Sequence, residues 1–147
     1  MKGIIFQESA RWKKPFLVLL SALFVVGLLS GCSEDKSGVE KTALRYTEAI
    51  MTGDWETAAG ESAGEQLGVM LLLSEQLAQT KFTADLRLNE VIETEVDGKK
   101  AHAIVHVVRD MSIQEFGSVT DDRQLMLDLY EVDGKWKVYR VDVLFEQ

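Results

Sequence analysis

The sequence predicts an α+β domain in which three N-terminal helices pack on a four-stranded antiparallel sheet. Three observations lead there. Apolar residues recur at helical spacing from Val39 to about Gln79, the rhythm changes to stretches of period two after Phe82, and Asp-Gly pairs at 97–98 and 133–134 cut that part into hairpins. Helices followed by a run of strands, without alternation between the two, favour α+β over a parallel α/β sheet.

The first helix places Val39, Ala43, Tyr46 and Ile50 on one face, at steps of four, three and four. Gly53 offers it a C-terminal stop, and Asp54 is an N-cap for a second, short helix, "DWETAA". A third helix is expected from Ser62 to Gln79, with Leu67, Met70, Leu71, Ser74, Leu77 and Ala78 along its inner stripe. Val69, Leu72 and Leu73 fall off that stripe, so the helix is apolar more than halfway round, which favours deep burial over a partner-facing patch.

The strands begin with Ala84 to Val96 and turn at Asp97-Gly98 into Lys99 to Asp110. A longer loop or strand extension follows over Met111 to Asp121, and "YEVDGKWKVYRV", from Tyr130, repeats the turn sequence "EVDGK" of Glu95 to Lys99. Asp-Gly suits a two-residue hairpin because the turn requires positive φ. Leu125, Leu127 and Leu129 form a purely apolar face suited to the core, which directs Asp128 and Tyr130 outward. On the last strand, alternation assigns Tyr139, Val141, Val143 and Phe145 to an apolar face. Trp136, Val138, Arg140, Asp142 and Leu144 fall on a mixed one.

The only cysteine, Cys32, stands at the end of an uncharged run from Phe16 to Ser33, with Arg11, Lys13 and Lys14 just before it. A lone thiol makes no intrachain disulfide, and a basic stretch followed by an apolar one is the pattern of an export signal. Leu29-Ser30-Gly31-Cys32 resembles the bacterial lipobox. That resemblance implies cleavage between Gly31 and Cys32, a diacylglycerol on the Cys32 thiol, and a lipid-anchored protein facing away from the cytoplasm. The anchor would lie in the outer leaflet of the plasma membrane, or in the outer membrane of a host that has one. The competing reading is an uncleaved signal anchor, because the run of 18 residues lies at the lower edge of the ~17–25 that span a bilayer. Both readings leave the domain outside the cytoplasm, since the basic flank stays inside.

The expected organisation is therefore a leader over 1–31, a flexible polar tether over 32–38 and one domain over 39–147. Removing the leader takes away four of the 16 basic residues and one of the 24 acidic ones, leaving 116 of 147 residues with a formal charge of about −11. Such a surface repels phosphate backbones, so nucleic acid is excluded as a partner, and membrane attachment is left to the lipid.

No catalytic set converges in the sequence. There is no second cysteine for zinc or redox chemistry and no serine in a nucleophile elbow. "GESAGEQLG", Gly60 to Gly68, opens an acidic helix where a phosphate loop needs a basic one. His102 and His106 share a strand face but lie roughly 13 Å apart, at ~3.3 Å per residue, too far for one metal. Neither metal nor cofactor is expected. His102, His106, Tyr130, Trp136, Arg140 and Asp142 instead compose a mixed sheet face, and aromatic and arginine side chains are enriched where proteins meet.

The order "VEKTALRYTEAIMTGDWETAA", an apolar helix, "DGKKAHAIVHVV" and "LMLDLYEVDGKWKVYRVDV" resembles the nuclear transport factor 2-like, cystatin-related cone fold, in particular small bacterial lipoproteins carrying such a domain. The resemblance rests on Tyr46, the Gly53-Asp54-Trp55 corner, Trp136 and Tyr139, and covers Val39 to Phe145. It implies a curved sheet wrapped around the helices, and a superfamily that includes isomerases, dehydratases and non-catalytic binding domains. The function expected is a non-catalytic binding or assembly module at the cell envelope, with an envelope protein, a peptide or a second copy as partner. The alternative is a small-ligand carrier or cavity enzyme of the isomerase or dehydratase type.

Overall fold

The computed structural model describes residues 35–78, 82–113 and 117–144. The leader, the Leu29–Cys32 motif and Phe145 lie outside them. Helix α1 covers residues 35–52, α2 Trp55–Gly60 and α3 Gly64–Leu77. Strands β1 (Phe82–Asp97), β2 (Lys100–Ile113), β3 (Gly117–Val132) and β4 (Lys135–Leu144) follow. They form one antiparallel sheet in the order β1-β2-β3-β4.

Of the tether expected over 32–38, residues 32–34 lie outside the described residues and 35–38 are helical. A Cβ on Gly38 would meet the Trp136 ring at 3.1 Å, so this part of α1 lies against β4. Val39, Ala43 and Tyr46 then bury the face expected of α1, joined by Ala49, while Ile50 is half-buried. Gly53, at φ 79°, closes the helix, and the Asp54 amide donates to the Ala49 carbonyl at 2.9 Å. Asp54 then caps α2 by accepting the Thr57 amide at 3.1 Å.

Between α2 and α3 the chain runs beside β4. Ser62 bridges Val138 in parallel, the Val138 amide donates to Glu61 O at 2.8 Å, and the Ala63 amide donates to Val138 O at 2.9 Å. This segment covers part of an edge whose amides and carbonyls would otherwise be free. The core lies between the helices and one face of the sheet, where Val105, Val107, Leu125, Leu127 and Leu129 meet Val39, Ala43, Tyr46 and Met70.

The expectation of deep burial for α3 is not met. Met70 is buried and Leu67, Leu73 and Leu77 are half-buried, but Val69, Leu71 and Leu72 are 47%, 56% and 54% exposed. One helix packed on one layer hides one face only, so a helix apolar on most sides keeps part of that surface in water.

The two EVDGK copies form different turns. In the first, Asp97 pairs with Lys100 around Gly98-Lys99; in the second, Val132 pairs with Lys135 around Asp133-Gly134, both at positive φ. The one-residue offset sends Val96 to the side of buried Ala101, whereas Val132 falls on the opposite side from buried Leu129. Residues 111–121 are mostly strand, since β2 runs to Ile113 and β3 starts at Gly117.

Candidate binding face

Burying Ala101, Ala103, Val105 and Val107 of β2 sends Lys100, His102, Ile104, His106 and Val108 to the face away from the helices. On β3 the buried leucines likewise send Asp122, Gln124, Met126, Asp128 and Tyr130 outward. Register then decides which of these meet. His102 lies between Glu95 and Asp128, with its Nδ1 2.7 Å from Asp128 Oδ1. One row removed, Ile104 faces Met126. In the next row His106 places Nε2 2.9 Å from Asp122 Oδ1 and Nδ1 3.7 Å from Glu90 Oε1. The two imidazoles therefore serve separate carboxylates. Among the described residues, no group of three or more His, Cys, Asp or Glu is placed to hold a metal ion.

Arg140 and Asp142 of β4 lie on the same face and pair with each other at 2.9 Å. Arg140 sits opposite Asp128, yet the next residue of β3, Leu129, sits opposite Val138. Tyr139 is the extra residue of this bulge, and the bulge reverses the alternation on which the sequence reading of β4 relied. Trp136 consequently leaves the predicted face. It is 8% exposed, shares the inner face with Val138 and stacks beside Gly38. Tyr139 takes its place outside, where its ring meets Tyr130 edge-on at 4.9 Å and 62°. Lys100 Nζ stands 5.6 Å over the Tyr130 ring.

The structure thus brings His102, His106, Tyr130, Arg140 and Asp142 onto one face and removes Trp136. Sequence reasoning missed Tyr139, Lys100, Asp122 and Glu90 as members of that face. Lys100 meets Tyr130 across the β2/β3 ladder, whose register neither Asp-Gly turn sets, and nothing in the alternation announces Tyr139.

An open pocket of ≈ 600 Å³ lies where β4 ends, lined by His106, Asp122, Gln124 and Leu144 among others. A second, of ≈ 500 Å³, is formed by Glu95, Val96, Asp97, Lys100 and His102.

On the helix side, polar groups serve the fold. Arg109 donates from Nε to Asp121 Oδ2 at 3.1 Å and from Nη1 to the Met51 carbonyl at 2.7 Å, tying the end of α1 to the sheet. Arg123 donates to the other oxygen of Asp121 at 2.6 Å, and the Asp121 side chain is only 10% exposed. Tyr46 accepts from Gln66 Nε2 at 2.6 Å and donates to Met70 Sδ at 3.8 Å. Burial pushes its phenol up to about 12, so the ring stays neutral at ordinary pH.

No family model matches the chain, and no curated protein does. Solved structures do. A protein with a cystatin-like fold from Novosphingobium aromaticivorans superposes with a TM-score of 0.60 at 14% identity, over 82% of this chain and 88% of that one. That protein is NTF2-like, and the likeness is one of fold. The fold is nuclear transport factor 2-like. A ketosteroid isomerase-like protein from Erwinia carotovora atroseptica shares this nuclear transport factor 2-like fold at TM-score 0.59 and 16% identity, covering 74% and 93%. The intermembrane space region of the chloroplast protein ARC6 does so at 0.52 and 16%, covering 75% and 91%. At these identities the likeness is one of nuclear transport factor 2-like architecture alone.

Proposed function

We propose that the chain is a lipid-anchored, extracytoplasmic binding or assembly module and not an enzyme. The observation that carries this reading is how the two sheet faces are used. Between helices and sheet, the side chains of Val39, Tyr46, Met70, Val105, Leu125, Leu127 and Leu129 form one buried apolar cluster. The outer face presents His102, His106, Tyr130, Tyr139, Arg140 and Asp142, with apolar Ile104 and Met126 between the two histidine rows. Rigid aromatics and hydrogen-bonding groups around a small apolar centre suit recognition of a protein or peptide. The sheet is taken to curve around α1 and α3, with the register shifts at Leu86/Leu88, Val91/Glu93 and Asp128/Leu129 as the bending devices.

Membrane confinement rests on the Leu29–Cys32 motif. Among the described residues no helix is long and apolar enough to cross a bilayer. Acyl chains on Cys32, each buried methylene contributing ~0.8 kcal/mol, would hold the domain at a surface and raise its effective concentration near envelope partners. The likeness to a chloroplast intermembrane space region is a precedent for this fold beside a membrane.

Two experiments test the reading. Cys32→Ala should abolish detergent partitioning and change the processed size; unchanged partitioning and size refute the anchor. A turnover screen on the full chain should find no activity that Asp128→Asn abolishes; such an activity refutes the non-catalytic role. The second reading, a small-ligand carrier or cavity enzyme, is favoured by the likeness to a ketosteroid isomerase-like protein. A ligand-bound structure with the ligand between helices and sheet would establish it.

A further inference from the structure

One side of α3 leaves large apolar side chains in water. Gly68, Leu71, Leu72 and Glu75 stand at positions i, i+3, i+4 and i+7, the four corners of a hole into which a neighbouring helix inserts a side chain, and all four are exposed. Gly68 deepens that hole. A glycine inside a helix is destabilising, and here the fold does not require it, because an added Cβ would meet nothing within 4 Å. Gly68 thus leaves room for a group from outside the domain. Val69, Leu71 and Leu72 border the hole as large apolar surfaces in water.

Charge selects the occupant. Helix α3 carries Glu65 and Glu75, both exposed, and no lysine or arginine. A second copy would bring the same carboxylates against these, and a surface with a formal charge near −11 after leader removal is repelled by anionic lipid. We infer that Gly68, Leu71 and Leu72 receive an amphipathic helix of a partner protein, whose apolar side chain fills the hole and whose lysines or arginines meet Glu65 and Glu75. This goes beyond the outer sheet face, which lies on the opposite side of the sheet from the helices.

The test titrates the full chain with a synthetic amphipathic helical peptide of leucine and lysine, and with its counterpart in which each lysine is glutamate. Gly68→Leu should weaken binding of the lysine peptide by about tenfold or more, with a melting temperature unchanged or raised. Leu72→Asp should also weaken it, although the added negative charge would by itself attract the peptide. The glutamate peptide should not bind. Equal binding of the lysine peptide to Gly68→Leu, or stronger binding to Leu72→Asp, would overturn the inference, since electrostatics alone would then suffice. Sedimentation showing a dimer of the full chain that Leu72→Asp dissolves would also overturn it, in favour of a second copy. Binding to phosphatidylglycerol vesicles that Leu72→Asp abolishes would do so in favour of a lipid surface.

Discussion

Tyr139 lies so close over Gly64 that a Cβ on residue 64 would come within 2.5 Å of Tyr139 Cε1, and Gly64 has φ 59°. The bulge that turns Tyr139 outward and the glycine that opens α3 are thus one packing feature. Gly64→Ala should destabilise the domain by ~1–3 kcal/mol, through both the positive φ and the lost space. Thermal or urea unfolding measures this, and relief of the loss in Gly64→Ala/Tyr139→Ala would identify the ring as a cause.

Gly68 should behave in the opposite way. Its site is open and helical, so Gly68→Ala is expected to stabilise the isolated protein by up to ~1 kcal/mol. A urea midpoint that falls would mean that the position makes an internal contact.

Tyr46 makes stability depend on alkaline pH. Its folded-state value of about 12 exceeds the ordinary 10, so the neutral phenol is favoured by the fold. This contribution is fully present below pH 10 and is lost as pH rises from 10 through about 12, up to ~3 kcal/mol in all. Tyr46→Phe should be less stable than the parent at pH 7, because Gln66 loses its acceptor. The difference should shrink or reverse above pH 10, as measured by urea midpoints across that range.

Asp54 acts at the other end of the scale. Hydrogen bonds from Thr57, chiefly its side chain and then its amide, hold the exposed carboxyl below its ordinary range. The contribution is present above the unfolded carboxyl value and is lost as pH falls through the depressed folded one. Asp54→Ala should cost ~1 kcal/mol at pH 7, and less as acid protonates the parent cap.

Asp121 joins Arg109 and Arg123 where the end of α1 meets the sheet. Asp121→Ala leaves a largely buried Arg109 without its carboxylate and should destabilise by ~3 kcal/mol. Arg109→Met/Asp121→Leu should recover part of that loss, because no buried charge then remains unpaired. Chemical denaturation of the two variants decides this.

The sequence revealed the elements where local chemistry and packing agree. Asp97-Gly98 and Asp133-Gly134 announced both hairpins, and Leu125, Leu127 and Leu129 named the core face of β3. Trp136 was misplaced because a bulge changes parity without changing composition, so strict alternation put it on the outer face with Arg140. The exposed side of α3 was hidden for a related reason. A helix apolar on most sides has no period that says which part faces water. At 35–38 a polar composition suggested a tether, but these residues are helical and Gly38 lies against Trp136, almost a whole domain away in sequence.

Mass spectrometry of the native polypeptide taken from its membranes tests the envelope role most directly. The account predicts a chain beginning at Cys32 and heavier than residues 32–147 by a diacylglycerol, with further acylation of the new amino terminus adding to it. A chain that begins at Met1 and carries an unmodified Cys32 thiol would contradict it.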